Sequence, residues 1–123
     1  MSDLLRDLIA AAPTKRRRSK YGSVRVQHPD TGAWFDSKSE LKRYMELELL
    51  QRAGEIRQLA RQVCFPLDVN GQHVATMRLD YEYLERGRRV VEDRKGAAPT
   101  PDWKLKAKLF QILYPDIELR ITR

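Results

Sequence analysis

Asn70-Gly71 is the dipeptide that most narrows the folds open to this chain. A type I′ hairpin turn needs positive φ at both central residues. Asn followed by Gly meets that need at least steric cost, so the runs on either side must return antiparallel. Those runs, Arg61 to Val69 and about 72 to 85, are predicted to be paired strands. Arg86-Gly87-Arg88 turns the chain again, into a third strand from Arg89 to Lys95 that stops at Gly96. A meander of this size within 123 residues leaves room for one modest core.

Helices are predicted on both sides of the meander. Residues 37 to 53 carry Leu41, Tyr44, Met45, Leu47 or Glu48, and Leu49 at helical spacing, with Gly54 as the stop. Pro99 and Pro101 open a second helix, about 101 to 114, whose expected apolar stripe is Leu105, Leu109, Ile112 and Leu113. Pro115 ends it, and Ile117, Leu119 and Ile121 alternate as a last strand. The order is helix, three strands, helix, strand (αβββαβ), an α/β chain without internal repeats.

Upstream, a small hairpin is expected between Tyr21 and Phe35, around His28-Pro29-Asp30-Thr31-Gly32. Residues 1 to 20 read as a separate leader. It holds a short amphipathic helix over 3 to 11, then a basic arm, Lys15-Arg16-Arg17-Arg18-Ser19-Lys20, too like-charged to fold alone. Residues 21 to 123 form the main domain.

Charge narrows the partner. Twenty-four Lys and Arg against 17 Asp and Glu give +7, which attracts polyanions at long range, nucleic acid first among them. A solvated basic surface with no partner is the alternative. No run approaches the roughly 20 apolar residues of a membrane span, and the start lacks the pattern of a secretory signal, so a cytoplasmic location is expected. The one cysteine, Cys64, excludes an internal disulfide and sits between Val63 and Phe65, where it is expected to be a buried small hydrophobe.

The chemistry concentrates in Asp80, Asp93 and Lys95, with Glu40 upstream. If the second and third strands pair through the turn at Gly87, Asp80 and Asp93 come near each other. Side chains two apart on a strand share a face, so Lys95 joins Asp93. Two carboxylates can hold Mg²⁺, which prefers oxygen ligands and retains waters, and an ammonium beside them can orient a water or steady a phosphoryl anion.

With these residues in place the chain resembles the PD-(D/E)XK nuclease superfamily, and more closely a small phage and prophage family within it. The resemblance rests on Phe35-Asp36-Ser37-Lys38-Ser39-Glu40, on Val90-Val91-Glu92-Asp93-Arg94-Lys95-Gly96, and on the Lys-rich helix from Trp103 to Phe110. It covers about Tyr21 to Ile121. It implies a restriction-endonuclease-like core with a central mixed four-stranded sheet flanked by helices. It also implies an Mg²⁺-dependent endodeoxyribonuclease, with Mn²⁺ as substitute metal. By resemblance Asp80, Asp93 and Glu40 are metal ligands, Lys95 is the motif lysine, and the Arg94 carbonyl is a further ligand candidate. Leu79 stands where the motif has proline. Glu92 is followed two residues later by Arg94, so Asp93 is taken as the motif acid and Glu92 is placed on the opposite face.

Each residue has a simpler explanation. Ser37-x-x-Glu40 is a capping-box pattern, Asp80 beside Arg78 suits a strand salt bridge, and Glu92 to Lys95 suits a charged edge strand. The conjunction of sites, their order and their elements favours a nuclease. Arg16, Arg17, Arg18, Lys20, Lys104 and Lys108 are the expected phosphate contacts, with Lys106 pointing away; these position DNA without reading its sequence. Gln62 is a candidate to approach the site, and Tyr44 is expected to face the core. His28 and His73 have no zinc-spaced partners, and no nucleotide-binding loop is present. The expectation is a DNA endonuclease, selective for branched DNA in one version and then a homodimer. The alternative is a non-catalytic DNA-binding phage accessory protein.

Overall fold

The computed structural model describes residues 24–95 and 98–122. The leader helix over 3 to 11 and the basic arm with Arg16, Arg17, Arg18 and Lys20 lie outside the described residues. The chain divides into two compact units, Met1–Glu46 and Leu47–Arg123. No helix among the described residues is long and apolar enough to cross a membrane.

In the first unit the expected hairpin is present but short, with β1 (Val26–Gln27) antiparallel to β2 (Trp34–Phe35). His28 builds its turn. Its Nδ1 accepts the amides of Asp30 (3.0 Å) and Thr31 (3.3 Å), and its ring meets Tyr44 edge-on at 6.0 Å. His28 is 3% exposed and Phe35 1%, so this histidine is a turn-building side chain. Helix α1 (Lys38–Arg52) starts here, where Ser37 Oγ accepts the Glu40 amide at 3.2 Å. Gly54, at φ 80°, takes the left-handed conformation that ends it. Within α1 only Leu47 is buried, whereas Met45 and Leu49 of the expected face are exposed.

In the second unit β3 (Arg57–Val69), β4 (Gln72–Glu85), β5 (Arg88–Arg94) and β6 (Glu118–Thr122) form one sheet in sequence order. The first two pairings are antiparallel and β5–β6 is parallel, so the sheet is mixed. Asn70 (φ 51°) and Gly71 (φ 78°) take the double positive φ that the sequence demanded. Arg86 (φ 53°) and Gly87 (φ 76°) repeat it, making the second turn as tight as the first. Strand β3 begins four residues before the predicted Arg61. A register shift between Arg57 and Ala60, with Gln58 at φ 56°, breaks the alternation by which a strand is recognised. At the far end of α1, Gln51 Oε1 accepts the Leu59 amide at 2.9 Å, tying the helix to β3.

Helix α2 (Pro101–Leu113) joins β5 to β6 and packs on Phe65, Leu67, Met77, Leu79, Val91 and Ile117 through Ala107 and Phe110. The predicted stripe is corrected in part: Leu109 and Leu113 pack against the core cluster, but Leu105 is 70% exposed and Ile112 65%. Apolar residues surround this helix, and the line Trp103–Ala107–Phe110–Tyr114 wins because aromatic side chains bury the most area and pack on one another. Phe110 and Tyr114 stack at 5.1 Å and both meet Phe65 edge-on. Cys64 is also corrected. It is exposed, since on a strand it points away from the face that buries Phe65.

Candidate active site

The candidate site lies where the β4–β5 ladder stops. Paired residues run from Glu85–Arg88 to Tyr81–Glu92, and beyond that pair a side chain takes over, with Asp80 Oδ2 accepting the Arg94 amide at 2.8 Å. On its other edge β5 stays paired to β6 through Arg94–Thr122, and the Lys95 amide donates to the Thr122 carbonyl at 2.9 Å. The end of β5 is thus fixed from both sides, by a carboxylate and by a strand. Val90, Val91, Glu92 and Asp93 are all buried, as expected of an inner strand covered on both faces.

Asp93 is 6% exposed. Its Oδ2 lies 2.9 Å from Lys95 Nζ, yet accepts no hydrogen bond of proper geometry among the described residues. The distance and the angle disagree, and the angle decides the chemistry. The ammonium attracts this carboxylate without satisfying a directed lone pair. Lys95 Nζ also lies 4.5 Å from the centroid of the Trp103 ring.

Glu92, one residue back, does something different. It is fully buried, and its Oε2 accepts a hydrogen bond from the Tyr83 hydroxyl. Arg120 donates to that hydroxyl at 3.3 Å, to Glu85 at 2.8 Å and, through Nε, to Glu118. Burial first, then the Glu92 carboxylate, pushes the Tyr83 phenol well above its ordinary range. Glu92 therefore anchors a packed polar network, while Asp93 stands with Lys95.

The other expected site residues are placed as follows. Glu40 lies in the first unit, half-buried in the first turn of α1, with the Ser37 half of the capping box formed. Gln62 accepts a hydrogen bond from Arg78, a cross-strand pair between β3 and β4. Lys104 and Lys108 are exposed on α2, and so is Lys106. His73 is held between Asp68 (2.6 Å) and Thr76 (3.2 Å) near the first hairpin turn. Trp103 and Tyr83 were given no role by the sequence. The aromatic at the start of the Lys-rich helix was the only available sign of the first.

Among the described residues no group of three or more His, Cys, Asp or Glu side chains is gathered to hold a metal. The donor set nonetheless suits Mg²⁺. That ion keeps several waters and needs only one or two carboxylates from the protein. A buried Asp93 oxygen without a directed donor among the described residues would suit such a role, and Asp80 accepts the amide of Arg94.

A family model described as "Protein of unknown function (DUF1064)" matches residues 18–123. No curated protein and no solved structure matches the chain.

Proposed function

The chain belongs to the DUF1064 family, whose function is unknown, and from its own side chains we propose that it is a metal-dependent DNA endonuclease hydrolysing phosphodiester bonds. One observation carries this reading. Asp93 is buried at the end of an inner strand, with one oxygen lacking a directed donor among the described residues and an ammonium 2.9 Å away. A purely structural ion pair would gain by closing that hydrogen bond, because an unmet buried acceptor costs about 1–3 kcal/mol.

Asp80 and Asp93 would hold Mg²⁺ or Mn²⁺. The ion would supply charge neutralisation at the phosphate and a more acidic water. The chain's own groups do the rest. The Arg94 amide holds Asp80 by one oxygen and so fixes its carboxylate. Lys95, with three donors and one neighbouring carboxylate oxygen among the described residues, can orient a water and donate to a phosphoryl oxygen. Hydrolysis adds the water oxygen to phosphorus and breaks the P–O3′ bond. The 3′ oxygen leaves as a hydroxyl after gaining a proton, and the phosphate stays on the 5′ side.

The exposed Lys104 and Lys108, together with the +7 net charge, favour binding along a DNA backbone without base reading. The test is a panel of linear, supercoiled, single-stranded and four-way-junction DNA incubated with Mg²⁺, Mn²⁺ or EDTA. Cleavage of at least one substrate that EDTA abolishes supports the reading. Salt-sensitive binding without cleavage in any arm would favour a non-catalytic DNA-binding protein instead. Preference for the junction would add a homodimer, since two strands must be cut.

A further inference from the structure

Among the described residues the Lys95 ammonium has two seats. One is Asp93 Oδ2 at 2.9 Å, a contact without hydrogen-bond geometry; the other is the Trp103 ring, with its centroid 4.5 Å from Nζ. Attraction alone does not fix a lysine, whose four-carbon stem rotates freely and whose charge is strongly hydrated. An indole face does restrain it, because the ring quadrupole draws a cation to the centre of the π-face. Trp103 is itself well held. It sits in the first turn of α2, its amide is capped by Thr100 Oγ1 at 3.2 Å, and its half-buried side chain packs against the core cluster.

We propose that Trp103 is the positioning residue for Lys95, holding the ammonium on its indole face so that Nζ stays beside Asp93. The consequence is sharpest when Asp93 holds a divalent cation. A cation there would offset the carboxylate's pull on the ammonium, and the ring would keep Nζ in place. The effect on catalysis rests on the nuclease reading above, whereas the ammonium–indole contact does not.

The experiment uses the full chain carrying Trp34→Phe, which leaves Trp103 as its one tryptophan. Without metal or DNA, the emission of Trp103 is compared between this protein and its Lys95→Met and Lys104→Met derivatives. The expected result is a changed spectrum for Lys95→Met and an unchanged one for Lys104→Met. Identical spectra for all three overturn the proposal. In the second arm Trp103 is replaced biosynthetically by mono-, di- and trifluorinated tryptophan, which drains the ring face while keeping side-chain shape and packing nearly constant. With Mg²⁺ and cleavable DNA, kcat should fall stepwise to about one third to one tenth, with KM for DNA within about twofold. A flat kcat across the series overturns the positioning role. If the unlabelled protein cleaves no DNA, the nuclease reading fails, and the emission comparison alone still decides whether the indole seats the ammonium.

Discussion

Tyr83→Phe removes one oxygen from a polar contact closed off from solvent. Tyr83 is 1% exposed and Glu92 is fully buried, so water cannot replace what is lost. The hydroxyl donates to Glu92 and accepts from Arg120 at 3.3 Å. A hydrogen bond to a charged group contributes about 1.5–3 kcal/mol. The second, longer bond adds less, and losing the phenol's own desolvation offsets part of the total. We expect a loss of about 2 kcal/mol, or roughly 8 °C in Tm for a domain of this size. Urea unfolding followed by circular dichroism measures it, with an unchanged m-value showing that the folded and unfolded states keep their extents. Alkaline pH supplies an internal control. Because the folded pKa of Tyr83 is raised, its contribution is complete below the ordinary phenol value of about 10. It declines above that pH, where the unfolded chain ionises and the folded one resists. Wild type should therefore lose stability above roughly pH 10 more steeply than Tyr83→Phe. A variant within 0.5 kcal/mol of wild type, on the scale of ordinary surface substitutions, would refute the claim that this network holds β4 to β5.

Other outcomes follow from packing. Phe110→Ala should cost about 3–5 kcal/mol, whereas Leu105→Ala and Ile112→Ala should stay within about 0.5, a contrast that chemical denaturation reads directly. Thr100→Ala removes the cap of α2 and should cost about 1 kcal/mol by the same assay. Cys64 should react with a thiol reagent at one equivalent in the native protein; reaction only in denaturant would restore a buried cysteine.

What was legible in the sequence were features fixed by local backbone needs. Asn70-Gly71 announced its turn because few other dipeptides tolerate that conformation, and Gly54 and Pro115 marked helix ends for comparable reasons. Partner choice was less legible. The start of β3 was hidden by a bulge, and the buried side of α2 by apolar residues on every side of the helix, among which only three-dimensional fit selects Trp103, Ala107 and Phe110. Cys64 had apolar neighbours in sequence, but neighbours on a strand face opposite ways. Within the site, the spacing of Asp93 and Lys95 sufficed to put them together, since it depends only on strand periodicity. Trp103 reaches Lys95 across the β5–α2 connection, and no spacing rule encodes that contact. The Tyr83–Glu92 bond links two strands and needed the register of the second hairpin to be known. The run Val90-Val91-Glu92-Asp93 did carry a sign, because two valines in succession suit a strand covered on both faces.

Comparing the rate at which wild type and Asp93→Asn release 5′-phosphate ends from DNA in Mg²⁺ tests the central claim most directly. The substitution keeps the side chain's size while removing its charge. Wild type should cleave and stop in EDTA, and Asp93→Asn, with unaltered melting and DNA binding, should be slower by at least about a hundredfold, the scale of losing one group that stabilises transition-state charge. Cleavage by Asp93→Asn at the wild-type rate would contradict the account.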